Sequence, residues 1–300
     1  MRLLLAQPRG FCAGVSRAID AAQETLRRYG GPVYLPHQVV HNEVVIKSLE
    51  SQGIVSVEDV SQVPNGAVCV FSAHGSPPED YNLAKQKKLK VIDATCPLVT
   101  KVHNEAKRYH NEGYQVVLIG HEGHQEVRGT QAQVPMILVR EQDTIPAIDR
   151  PVAVVTQTTL SKYDVAETVS RIRERFPDAV VRDDVCYAVS NRQDAVVKMV
   201  KTGAEVVLII GSPSSSNSVR MKQVAEHYGA QAHLLPGVGD LSDEWVNGVG
   251  CVGISSGAST PDHLVDELLT TLIDRYGAVV EPIVVANEDH IVFTQPRELR

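Results

Sequence analysis

Three of the five cysteines stand in segments that repeat. Cys12-Ala13-Gly14-Val15-Ser16, Cys96-Pro97-Leu98-Val99-Thr100 and Cys186-Tyr187-Ala188-Val189-Ser190 align without gaps, and each meets an acid or amide eight residues past its cysteine, at Asp20, Asn104 and Asp194. Each then runs as a helix-like stretch to a glycine (Gly30, Gly113, Gly203) at intervals of 18, 17 and 17 residues, and the cysteines are 84 and 90 residues apart. A fixed period of this kind marks repeated structural units. Thiolates are soft ligands, so three of them brought together would suit a soft metal or a cluster. Spacing leaves three readings open: a 4Fe–4S cluster with one iron lacking a protein thiolate, a zinc site on three cysteines, or small buried hydrophobes without chemistry. Cys69 and Cys251 lie inside strand-like runs, have no third counterpart, and read as core residues.

A second set of polar residues keeps the same period. His41-Asn42-Glu43-Val44, His124-Gln125-Glu126-Val127 and Ser215-Ser216-Asn217-Ser218-Val219 begin 29, 28 and 29 residues past the preceding repeated cysteine. Ser72-Ala73-His74, Thr156-Gln157-Thr158 and Gly257-Ala258-Ser259 follow, with His74 and Thr158 both at offset 62 and Ser259 at 73. Donors of this kind, without a carboxylate majority, suit a phosphate-bearing ligand. The same residue types also cap helices and close loops.

These residues need elements to hold them. Leu3-Leu4-Leu5, Val91-Ile92 and Val180-Val181 read as strands leading toward each cysteine. Pro97 suits the first position of a helix, and the three glycines suit helix ends. A cysteine at a helix N-terminus feels the positive end of the dipole, which favours thiolate. Further strands follow at Val33–Leu35, Val116–Ile119 and Val206–Ile210, then at Val68–Phe71, Val152–Val155 and Val252–Ile254. Alternating strands and helices predict an α/β protein with mainly parallel sheets, in which ligands sit beyond the carboxyl ends of the strands. The expected lobes are residues 1–96, 97–184 and 185–282, with 283–300 as a C-terminal segment. If the lobes face a common axis, the three cysteines meet at its middle. His41, His74, His124, Thr158, Ser215, Asn217 and Ser259 would then surround them.

Composition narrows the class. At 300 residues, 43% hydrophobic and 22% charged, the chain is an ordinary globular protein and not disordered or fibrous. A net charge of −7 argues against a sequence-independent grip on nucleic acid. No apolar run approaches the ~18–20 residues that span a bilayer, and Met1–Gln7 is too short for a signal peptide, so a cytoplasmic protein without a membrane segment is expected. An odd number of cysteines without an export signal argues against a disulfide framework, and no C-x-x-C is present. Gly248-Val249-Gly250-Cys251-Val252-Gly253 matches a dinucleotide fingerprint literally but precedes a strand instead of following one. Lys85-Gln86-Lys87-Lys88-Leu89-Lys90 reads as a solvated helix end, with docking of an acidic redox partner as the alternative. A zinc-dependent hydrolase of a phosphorylated substrate and an iron–sulfur redox sensor both remain compatible with these features.

The motifs taken together resemble the 4-hydroxy-3-methylbut-2-enyl diphosphate reductase (LytB) family. They are Pro8-Arg9-Gly10-Phe11-Cys12-Ala13-Gly14-Val15, Val40-His41-Asn42, Ser72-Ala73-His74-Gly75, Asp93-Ala94-Thr95-Cys96-Pro97, Gly123-His124 with Glu126-Val127, Thr156 to Leu160, Cys186-Tyr187-Ala188, Asn191-Arg192-Gln193, Ser215 to Ser218 and Gly257-Ala258-Ser259. They occur in order, from residue 8 to the closing Phe293-Thr294-Gln295-Pro296-Arg297-Glu298-Leu299. The resemblance implies a trefoil of three α/β lobes around one 4Fe–4S cluster, held by Cys12, Cys96 and Cys186 with one iron open to substrate. It implies reductive loss of an allylic hydroxyl to give isopentenyl and dimethylallyl diphosphate, the last step of the non-mevalonate isoprenoid pathway. It further implies electrons from a ferredoxin or flavodoxin. By the same resemblance His41, His74, His124, Ser215, Ser216, Asn217 and Ser259 would hold the diphosphate, and Glu126 with Thr158 would deliver protons. The repeat alone does not choose Glu126, because Glu43 occupies the same place after His41.

Overall fold

The protein is described by a computed structural model over residues 1–140, 142–182 and 184–300. The branched aliphatic runs form strands and the amphipathic stretches between them form helices. From the N-terminus these are β1 (Arg2–Gln7), α1 (Ala13–Tyr29), β2 (Val33–Pro36), α2 (Glu43–Ser51), β3 (Ile54–Val57), β4 (Val68–Phe71), α3 (Pro78–Gln86) and β5 (Lys90–Asp93). Next come α4 (Pro97–Asn111), β6 (Gln115–Ile119), α5 (Gln125–Gln131), β7 (Met136–Val139), β8 (Val152–Thr156), α6 (Lys162–Arg175) and β9 (Val180–Val181). The last stretch holds α7 (Tyr187–Lys201), β10 (Val206–Ile210), α8 (Ser216–His227), β11 (Gln231–Leu235), β12 (Cys251–Ser256), α9 (Asp262–Tyr276) and β13 (Val279–Val284).

The described strands build parallel sheets of one repeated topology, as the alternating pattern predicted. Their orders are β3-β2-β4-β5, β7-β6-β8-β9 and β11-β10-β12-β1-β13. In each, the third strand pairs in parallel with a fourth that leads to a repeated cysteine: Val70 opposite Ile92, Val154 opposite Val181, and Leu4 opposite Gly253. In the third sheet that fourth place is taken by β1 from the N-terminus, and β13 pairs with its outer edge. The helix-ending glycines also stand as expected, with positive φ at Gly30, Gly113 and Gly203.

The chain divides into two compact units. One contains residues 1–13, 41–45 and 187–292; the other contains 14–40, 46–186 and 293–300. In the first unit, Leu3, Leu208, Val252 and Ile254 from the sheet share a core with Leu264, Val265, Leu268 and Leu272 of α9. In the second, Val116 and Leu118 face Val102, Ala106 and Tyr109 of α4, while Val117 and Ile119 face Val165, Val169 and Ile172 of α6. Both faces of β6 are therefore covered, which is why it reads as an unbroken apolar run. No helix among the described residues is long and apolar enough to cross a membrane.

The loop between β1 and Cys12 turns at Gly10, whose φ is +68° and whose N–H donates to the buried Ser256 Oγ at 2.8 Å. A Cβ there would lie 1.9 Å from Asp262 Oδ1. Gly10→Ala should therefore lower stability by ~1–2 kcal/mol, part from the left-handed backbone and part from the contact. Urea unfolding of Gly10→Ala in an Asp262→Ala background should recover only the contact part. Equal stability of the wild type and Gly10→Ala would show that this turn does not need glycine.

Candidate active site

The five cysteines divide into two chemical kinds, and none forms a disulfide. Cys69 and Cys251 are buried in β4 and β12; burial pushes the Cys69 thiol up to about 12 and raises that of Cys251. Neither is suited to act as a thiolate. Cys12, Cys96 and Cys186 are half-buried and stand immediately before α1, α4 and α7, where the helix dipole favours negative charge. Each donates its backbone N–H to a carbonyl two residues beyond the neighbouring strand. Cys12 bonds Ala258 past β12 at 3.1 Å, Cys96 bonds Ala73 past β4 at 2.9 Å, and Cys186 bonds Thr158 past β8 at 2.9 Å. The repeat seen in the residues is thus also a repeat in hydrogen bonding. Among the described residues no three His, Cys, Asp or Glu side chains are gathered as ligands of a single ion.

In the second unit the strand-end loops converge on a carboxyl group. Glu126, on the first turn of α5, is 2% exposed. Thr158 N–H donates to its Oε1 at 2.6 Å, and Thr158 Oγ1 donates to its Oε2 at 3.0 Å. Burial pushes the Glu126 carboxyl up to about 7; the two Thr158 bonds oppose the shift and the charge of Asp184 adds to it. His124 caps α5 through Nδ1, which accepts the Glu126 N–H at 3.2 Å. The neutral ring then carries its proton on Nε2 and can offer it to an acceptor. His74 meets His124 edge to face, with ring centroids 5.9 Å apart. Gln125 Nε2 donates to the buried Ser72 Oγ at 3.2 Å. This close approach requires Gly129 on α5, where a Cβ would lie 2.9 Å from the Gly75 carbonyl oxygen.

The other candidates belong to the first unit. Ser215 caps α8, its Oγ accepting the Ser218 N–H. Asn217 is buried, and neither its Oδ1 nor its Nδ2 has a hydrogen-bond partner among the described residues; Ser216 Oγ is in the same position. Leaving such groups unsatisfied costs stability, and a helix N-terminus adds further N–H donors. Ser259 Oγ donates to the His41 carbonyl oxygen at 3.1 Å, on the loop whose neighbour Ala258 accepts from Cys12. Burial holds the His41 imidazole below its ordinary pKa.

The model of the LytB protein family matches residues 3–273. The chain belongs to the LytB family. It is 46% identical over 308 residues to the 4-hydroxy-3-methylbut-2-enyl diphosphate reductase of Nocardia farcinica, covering 100% of this chain and 91% of that protein. It is 47% identical over 309 residues to reductase 1 of Mycobacterium bovis, with the same coverage. The solved E-1-hydroxy-2-methyl-but-2-enyl-4-diphosphate reductase of Plasmodium falciparum matches with a TM-score of 0.95 at 34% identity, covering 99% of this chain and 96% of that one. Another solved reductase, described as the terminal enzyme of the non-mevalonate pathway, matches with a TM-score of 0.66 at 32% identity, covering 91% and 100%.

Within this LytB chain, burial separates the two glutamates that the repeat left equivalent. Glu126 is enclosed on Thr158, whereas Glu43 lies exposed at the start of α2. The sequence reading gave no role to Ser72, Gln125 or Gln157, although all lie in or beside its motifs. Gln157 is buried, accepts the His121 N–H at 2.9 Å and donates to Thr159 Oγ1 at 2.7 Å, shaping the loop around Thr158. His103, which burial pushes down to about 4, packs beneath Gly75 and backs the His74 loop.

The raised Glu126 pKa has a measurable sign. The folded chain keeps this proton up to about 7, the unfolded chain only to about 4.5. Between those values the folded state binds more protons, so stability should fall as pH rises through the window and be level on either side. Glu126→Gln should remove that slope in urea unfolding run at a series of pH values. An identical slope in both proteins would show that Glu126 is not the group holding the proton.

Proposed function

We propose that this chain is a 4-hydroxy-3-methylbut-2-enyl diphosphate reductase, an iron–sulfur oxidoreductase that removes the allylic hydroxyl of its substrate. Isopentenyl and dimethylallyl diphosphate would be its products, at the last step of the non-mevalonate isoprenoid route. The observation that carries this reading is one residue, Thr158. Its N–H and hydroxyl hold the proton-bearing carboxyl of Glu126, while its carbonyl holds the amide of Cys186. A proton source and a candidate ligand of an electron carrier are thus tied through a single threonine.

The donor chemistry fits a cluster on Cys12, Cys96 and Cys186: three half-buried thiols at helix starts, distinct from the two inert core thiols. A cluster interposes its own bulk between its ligand sulfurs and does not ask for the close trio that a single zinc ion needs. When bound, the 4Fe–4S group supplies electrons one at a time and one iron without a protein thiolate, a Lewis acid toward oxygen. The electrons come from a ferredoxin- or flavodoxin-type donor in the cytoplasm.

Replacing the allylic C–O bond by C–H, with water leaving, consumes two electrons and two protons. Glu126 holds a proton near neutral pH because it is buried; with that proton on Oε2, the Thr158 hydroxyl would turn to accept it and donate its own proton to the departing oxygen. The diphosphate is assigned to His41, His74, His124, Thr158, Ser215, Ser216, Asn217 and Ser259. Asn217 and Ser216 support this most directly, since their polar atoms are buried without partners among the described residues. Binding energy at the diphosphate, remote from the reacting carbons, would orient them.

Anaerobic purification with an iron and sulfide count and a visible spectrum tests the cofactor. Serine in place of Cys12, Cys96 or Cys186 should abolish the ~400 nm band and turnover, while Cys69→Ser should keep both. A colourless, folded Cys69→Ser protein would overturn the ligand assignment. With an artificial one-electron donor, Glu126→Gln should retain the cluster and lose ~10²–10⁴ in rate, whereas Glu43→Gln should cost far less. The reverse order would place the acid at Glu43.

Asn217→Ala separates binding from stability. It removes an unsatisfied buried amide, so the free protein should be no less stable, while diphosphate affinity should weaken by roughly tenfold. Calorimetric titration that finds unchanged affinity would remove Asn217 from the site.

A further inference from the structure

We propose that Arg17, Lys101 and Arg192 are positioning residues for the three cysteine thiolates, each projecting from the helix after one cysteine and fixing the loop that leads to the next. They lie five, five and six residues past Cys12, Cys96 and Cys186. Arg17 on α1 is buried, and its Nη1 donates to the carbonyls of Ala94 at 2.9 Å and Thr95 at 3.0 Å, the two residues before Cys96. Lys101 on α4 donates through Nζ to Oδ1 of the buried Asp184 at 3.2 Å, two residues before Cys186. Arg192 on α7 is fully enclosed, and its Nη2 donates to the carbonyls of Gly10 at 2.7 Å and Arg9 at 3.3 Å, before Cys12. The order runs from 12 to 96, from 96 to 186 and from 186 back to 12.

The physical case rests on cost. All three hydrogen bonds of the Arg17 guanidinium go to carbonyls, Thr294 at 2.7 Å being the third, and none goes to a carboxylate. Burying a cation in this way is unfavourable unless its donors are used and negative charge lies near. Burial lowers the Arg17 pKa, and the charges of Cys96 and then Asp93 oppose that shift. Arg192 has Glu288 at 3.2 Å and still spends its second nitrogen on the loop before Cys12. The planar fork lets one side chain hold two successive carbonyls, which a single ammonium does less rigidly. The loops before Cys12 and Cys96 are thereby pinned through their carbonyls as well as their amides, as supporting shells of metal sites require.

Both arginines also hold the C-terminal segment, so a control must separate the two roles. Arg28 donates to the Leu299 carbonyl at 2.8 Å and to Glu24 Oε1 at 3.3 Å, and among the described residues it has no hydrogen bond to a loop before a repeated cysteine. The full-length chain is reconstituted anaerobically with iron and sulfide, and iron per chain and the rate of bleaching by a chelator are measured. Arg17→Met and Arg192→Met should lose iron at least ~10-fold faster than the wild type, Lys101→Met less so because its side chain is half exposed, and Arg28→Met at the wild-type rate. Arg17→Lys and Arg192→Lys should restore part of the retention. Folded methionine variants that hold iron as firmly as the wild type overturn the proposal. If the methionine variants do not fold, wild-type retention in both lysine variants overturns it instead. The proposal rests on the cluster reading above. A wild-type chain that takes up no iron removes both, whereas firm retention in the arginine variants removes only this one.

Discussion

The hydrogen bond from each repeated cysteine to the carbonyl past its neighbouring strand is the interaction on which the site depends. It couples a thiol to a loop that carries a candidate site residue: His74 beyond Ala73, Thr158 itself, and Ser259 beyond Ala258. The parallel sheet makes the coupling possible. Adjacent parallel strands end on the same side, so the residue leaving one strand meets the loop leaving the next. A disturbance in any of these loops is therefore expected to reach a thiol as well as a ligand contact.

Burial then assigns chemical roles among similar side chains. Two cysteines enclosed in strands are driven away from thiolate, while the three at helix starts are only half enclosed. One of two repeat-equivalent glutamates is enclosed and retains its proton toward neutrality; the other faces solvent. Asn217 is buried with its amide atoms unmatched among the described residues, an arrangement that costs the free protein stability. Polar burial of this kind is tolerated because each unit has a dense apolar core of its own.

LytB membership and the names of the relatives agree with the reduction of a small diphosphate substrate. The residues argued above need not act independently. Thr158 bonds both Glu126 and Cys186, and the loop before Cys12 is held at once by Ser256 and Arg192. Effects of substitutions within either set should be non-additive, as expected where partners are shared.

Much of this was legible in the residues themselves. The period of cysteine, helix and glycine, and of strand followed by polar loop, determined the α/β class, the parallel sheets and which cysteines stand at helix starts, because local propensity and repeat spacing are properties of the chain alone. Three things were decided only by tertiary structure. The choice of Glu126 over Glu43 on physical grounds needed their burial, which depends on how α5 packs against Gly75 and Thr158. The completion of the third sheet by β1 joins residues about 250 apart, which no local signal records. The grips of Arg17 and Arg192 on distant carbonyls were invisible for the same reason: a carbonyl has no residue type, so only folding shows which one a buried cation meets.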